Sequence, residues 1–166
     1  MRRAALVAGL LCLLLVAGAA DARANLPGLF AKQIRAINRA PHAPAVLLPA
    51  AMALDAKHLY AAGGASGASY ALSLGAVAHC GGADACFVAD FTAARAQTVS
   101  GTPVHVAGAS KAGFFPQSCG ASCAPPQIDF LWHGARYTIQ ARLASSLGDR
   151  AALITAAESA ISAGPR

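Results

Sequence analysis

The chain has 166 residues, 13 lysines and arginines against 7 aspartates and glutamates, and 56% hydrophobic residues, for a net charge of +6. That composition is too apolar for a disordered chain, and the length suits one domain rather than several. The positive excess is spread along the sequence instead of forming the stripe that a nucleic-acid surface needs, so nucleic acid is not an expected partner.

The first residues read as a secretory signal: Arg2 and Arg3, then an apolar stretch from Ala4 to Ala20, then small residues. Ala20-Asp21-Ala22 and Ala22-Arg23-Ala24 both fit a small-x-small cut site, so residues 1–22 are expected to be removed, with a second possible cut after Ala24. The apolar core is short for a membrane span, which needs about 20 apolar residues, so no transmembrane segment is expected after cleavage. Cys12 lies inside that core and leaves with it. A cut at 22 or 24 leaves 144 or 142 of the 166 residues, and residues 25–166 are expected to form a single domain.

Phe30, Ile34 and Ile37 stand at the spacing of a buried helical stripe, which predicts an amphipathic helix over 29–39. Its Lys32, Arg35 and Arg39 cluster on such a helix as a solvated face, or as a contact for an anionic lipid or polymer. Pro41 and Pro44 end the helix. The apolar run 45–48 before Pro49 is too short for another and reads as an edge or first strand. Residues 50–68 leave two readings open, with a possible strand over 58–61 and a flexible turn at Gly63-Gly64-Ala65-Ser66-Gly67.

Tyr70, Leu72 and Leu74 alternate with Ser69, Ala71 and Ser73, the period of a half-buried strand. Its expected partner is 86–92. Symmetric pairing about Ala83 would put the leucines and the phenylalanines on opposite faces, so a bulge near Gly75 or Gly81-Gly82 is expected to return Phe87 and Phe91 to the leucine side. Val104 and Val106 suggest a short strand, with 101–103 and 111–116 as strand ends and turns.

The clearest hairpin follows. A two-residue loop at His133-Gly134 pairs Trp132 with Ala135, Phe130 with Tyr137 and Ile128 with Ile139, which puts the apolar positions of both strands on one face. A last helix is expected over 149–163, with Ser146 and Asp149 in capping-box spacing, Leu153, Ile154, Ala157 and Ile161 inward, and Gly164-Pro165 as the stop.

After cleavage four cysteines remain, in two small-residue loops, and an exported chain favours local disulfides Cys80–Cys86 and Cys119–Cys123. Zinc is disfavoured by the spacing, even with His79 and His105 as further ligands, and no metal or other cofactor is expected. A redox role for Cys119-Gly120-Ala121-Ser122-Cys123 lacks the C-x-x-C motif at a helix start. Gly64-Ala65-Ser66-Gly67-Ala68 is only loosely like a nucleophile elbow. No catalytic residue is assigned.

The succession Trp132-His133-Gly134-Ala135-Arg136-Tyr137-Thr138-Ile139, followed by 153–161, resembles the terminal hairpin and helix of small secreted bacterial envelope proteins of unknown function. That resemblance implies an α+β fold in a bacterial envelope and carries no catalytic residues. The expectation is therefore one α+β domain, an antiparallel β-sheet with an N-terminal and a C-terminal helix packed on one face. Its expected role is that of a periplasmic or secreted, noncatalytic binding protein for an envelope protein or polymer, working through the open sheet face or the disulfide loops. The alternative is an envelope enzyme, a hydrolase or thiol oxidoreductase, whose site would need scattered residues such as His79, His105 and His133 to converge.

Overall fold

A computed structural model describes residues 23–81, 83–96, 98–144 and 148–166, so the signal segment 1–22 and the capping position Ser146 lie outside the described residues. In chain order the described elements are β1 (Arg23–Asn25), α1 (Leu26–Leu29), α2 (Ala31–Ile37), β2 (Ala51–Ala53), β3 (Tyr60–Ser66), β4 (Ser69–Gly75), a 3₁₀ turn (Asp84–Cys86), β5 (Phe87–Arg95), β6 (Thr102–Pro103), β7 (Lys111–Phe115), β8 (Ser118–Cys119), β9 (Cys123–Ala124), β10 (Gln127–Trp132), β11 (Ala135–Ala141) and α3 (Asp149–Ala163). Seven strands form one antiparallel sheet in the order β3-β4-β5-β11-β10-β7-β6, while β1-β2 and β8-β9 are separate two-stranded ladders.

The molecule is mostly β, which corrects the expected α+β fold with two helices on one face. Among the described residues only α3 is a helix of any length. The N-terminal helical residues are split at Phe30 into the single turn α1, opened by Pro27, and the seven-residue α2. Neither piece is long enough to propagate as a helical layer. Gln33 of α2 reaches the margin of the sheet, where its Nε2 donates to Ala61 O at 3.2 Å. Phe30, between the two pieces, meets the ring of Phe91 edge-on at 5.9 Å.

The hairpin β10-β11 has the register that turn length and alternation predict, with Trp132 opposite Ala135, Phe130 opposite Tyr137 and Ile128 opposite Ile139. Both turn residues have positive φ, 46° at His133 and 75° at Gly134, the geometry that matches the twist of the flanking strands. Phe130 and Tyr137 stack at 5.5 Å. Their face continues through Phe91 and Leu72, giving a core that also holds Val46, Leu48 and Leu153.

The run 45–48 is not a strand. It passes through the core as irregular chain, bonded by two tyrosine hydroxyls from the sheet and by Arg166, whose N donates to Val46 O and whose guanidinium donates to Leu48 O. Tyr70 Oη accepts from Leu47 N at 3.2 Å and donates to Leu47 O at 3.4 Å, while Tyr137 Oη donates to Ala45 O at 3.0 Å. Burial pushes the Tyr137 hydroxyl up to about 12, against the opposing pull of Arg95, and pushes Tyr70 up further still. Both hydroxyls therefore stay protonated.

Three further local expectations change. The Gly63-Gly64 segment is strand, and the turn is Gly67-Ala68; Gly63 takes φ 136° and an added Cβ would stand 2.2 Å from Ala71 O, so β3 can approach β4 there only as glycine. Residues 111–115 form an interior strand, whereas 104–106 are irregular. The inward residues of α3 are Leu153, Ala156, Ala157 and Ala160, with Ile154 and Ile161 only half-buried.

Candidate functional site

The opposite face of the sheet carries a different chemistry. Ala62, Ser73, Asp90, Gln140 and Gln127 align across five strands, and Gly64, Ala71, Thr92, Thr138 and Asp129 form the next row. Asp129 is only 3% exposed; its Oδ1 accepts from Gln127 Nε2 and Thr138 Oγ1, each at 2.8 Å. Ser100 and Gly101 lie against this face beside it, where a Cβ on Gly113 would collide with Ser100 O. Over β3, β4 and β5 the described residues lay no helix on the face.

A hollow of about 520 Å³ opens there, at the Gly75 end of β4. Its walls include Tyr60, Val77, Phe87 and His79, and Ser73 and Asp90 line it as well. Tyr60 and Val77 are 48% and 52% exposed, the large hydrophobic residues that stand out in solvent among the described residues, and both border this one hollow. Burial raises the pKa of Asp90 and the Ser73 hydroxyl acts in the opposite direction, so the carboxyl sits in a partly dehydrated setting.

The wall on the β4–β5 side is fixed by Cys80 and Cys86, whose sulfurs stand at disulfide distance, 2.02 Å, with Cα atoms 5.7 Å apart. This loop folds back on Gly75, where an added Cβ would lie 2.6 Å from Cys80 Cβ. Arg142 ties it to the end of β11 by donating to Asp84 O. The expected register shift is present between Leu74 and Gly75. It sets Phe91 opposite Leu72, but it pairs Phe87 with Gly75, and Phe87 lines the hollow instead of joining the leucine side.

Cys119 and Cys123 are also at disulfide distance, 2.12 Å, in an exposed loop that forms its own ladder β8-β9. Nearby, a polar recess of about 310 Å³ is lined by Asp55, Gln117, Arg142 and Asp149. Among the described residues no group of three or more His, Cys, Asp or Glu side chains could hold a metal ion.

The three histidines named from the sequence stand on three different connections, all exposed. His79 follows the Gly75 end of β4, His105 lies between β6 and β7, and His133 forms the β10–β11 turn beside the Ala135–Arg95 pair, at the opposite end of the sheet from Gly75. Only His79 borders the hollow. Tyr60, Val77, Phe87 and Asp90 were not singled out as a site by sequence reasoning, because they come from three segments that only the sheet register brings together.

No family model, characterised protein or solved structure matches the chain, so nothing is carried to these residues from a relative. No helix among the described residues is long and apolar enough to cross a membrane.

Proposed function

We propose that this chain is a noncatalytic binding protein of the bacterial envelope, exported to the periplasm or the medium, and that its site is the hollow on the open sheet face. The observation that carries this reading is the convergence of Tyr60, Val77 and Phe87 around the Asp90 carboxyl. Exposed apolar side chains gathered at one place mark contact surfaces, and a few placed polar groups in an apolar hollow fix a ligand's orientation. The fitting ligand chemistry is an apolar group carrying a positive charge or hydrogen-bond donor for Asp90. Two disulfides suit an oxidising compartment. The dispersal of His79, His105 and His133 favours binding over the hydrolase or thiol oxidoreductase alternative.

The test compares retention of envelope components by the exported protein with retention by Val77→Ser and Asp90→Asn. A specific component should be held by the wild type and weakened about tenfold by either change, the scale of losing one good contact. Equal retention by all three proteins would remove the hollow as the site.

A further inference from the structure

The two edges of the seven-stranded sheet are built differently. At one end β6 is two residues long and contains Pro103, which has no N–H to offer a neighbour. That edge is closed to strand addition in the way natural sheets usually manage. At the other end β3 runs for seven residues, Tyr-Ala-Ala-Gly-Gly-Ala-Ser, with no proline and no charge.

The direction of its backbone groups follows from the turn. A two-residue loop makes Ser66 and Ser69 a hydrogen-bonded pair, so by antiparallel alternation Ala65, Gly63 and Ala61 turn their N–H and C=O groups away from β4. α2 lies against the Ala61 end of this strand, and Gln33 bonds the rim there, donating from Nε2 to Ala61 O. The same amide leaves Oε1 buried with no hydrogen-bond partner. A plug with one bond made and one buried acceptor unmet is weakly held, because lifting it returns that oxygen to water.

Beside the rim α2 exposes Lys32 and Arg35, and Arg39 follows just beyond it; no acidic residue lies between 26 and 40. We infer that the β3 edge is a docking site for an extended, acidic polypeptide segment, which adds as an eighth strand and displaces the Gln33 amide. Main-chain bonds to Ala61, Gly63 and Ala65 supply the pairing, and the α2 cations select acidic side chains. A second copy of this chain fits less well, since edge-to-edge pairing would bring two sets of these cations together. The edge uses main-chain groups and α2; it shares Ala61 with the wall of the hollow but makes no use of Asp90.

The probe is a short synthetic peptide of alternating threonine and glutamate, titrated against the full exported chain, with hydrogen exchange followed at Gly63 and Ala65. Binding should protect both amides. It should weaken about tenfold with Ala65→Pro, which removes an outward donor and no internal bond, and by a similar factor with Lys32→Glu. Gln33→Ala should act in the opposite direction and tighten binding, a gain that a misfolded protein would not show. On the ligand side, a peptide N-methylated at alternate amides should lose binding to the unaltered chain.

The inference is overturned if the N-methylated peptide binds as well as its parent, if a lysine counterpart binds equally, or if protection appears without peptide as the chain dimerises. It is also overturned if anionic phospholipid vesicles bind at α2 while the peptide does not. Asp90→Asn should leave peptide affinity unchanged, which separates this result from failure of the hollow.

Discussion

Along the packed face of the central sheet, Leu72, Phe91, Ile139 and Ile128 meet a continuous core, and the hydroxyls of Tyr70 and Tyr137 reach through it to the backbone of 45–47. On the reverse of the same strands, Ser73, Asp90 and Thr92 stand half-buried, with no helix among the described residues above them. One set of strands thus supports two regimes: a face where volume is fixed by packing and a face where small side chains leave room. Stability should be concentrated on the first and ligand sensitivity on the second.

Tyr137→Ala should show the largest effect, a loss of about 3 kcal/mol in denaturant unfolding, because it removes a ring stacked on Phe130 and the bond to Ala45 O. A loss under about 0.5 kcal/mol, the surface range, would erase the distinction between the faces. Tyr70→Phe should cost less, about 1–2 kcal/mol, since the ring stays and only the two bonds to Leu47 go. No loss on removing that hydroxyl would mean that 45–48 is held by its side chains and its bonds to Tyr137 and Arg166.

Asp90→Asn should have the smallest effect on stability, and a sign that depends on pH. The folded pKa of Asp90 lies above its unfolded value, so the folded state favours the protonated form. Its contribution is fully present below the ordinary carboxylate pKa and is lost as pH rises through the raised one. The variant should therefore match the wild type at acid pH and gain on it towards neutral pH, read as a widening Tm difference. A difference that narrows with rising pH would show a carboxylate stabilised by its surroundings.

The packed face was the more legible of the two. Alternation over 127–141 and a two-residue turn specify the hairpin register because both clues are local. That 69–74 pairs with the strand around 86–92 and bulges near Gly75 is legible for the same reason, although Phe87 falls on the other side, and so are the bounds of α3. The run 45–48 reads as a strand in sequence because the groups that satisfy its backbone, the tyrosine hydroxyls and Arg166, lie far along the chain. Gly63 and Gly64 carry no alternation, so only contact with β4 reveals their strand. Phe30 belonged to the expected buried stripe, yet the helix breaks there, and the two-helix layer with it. The hollow was illegible for a related reason, since Tyr60, Val77 and Asp90 share no sequence pattern.

The strand order carries a temporal consequence. β5 pairs with β4 on one side, but its other neighbour is β11, and from Arg95 to its partner Ala135 the chain runs 135 − 95 = 40 residues. During synthesis at about 5–20 residues per second, that side of β5 waits roughly 2–8 s for the residues that close it. A nascent chain in that interval presents Phe91 on a strand paired on one side only, with its other edge open. Within the sheet, the two seams of β11 are thus the last that the growing polypeptide can close, and only α3 follows them.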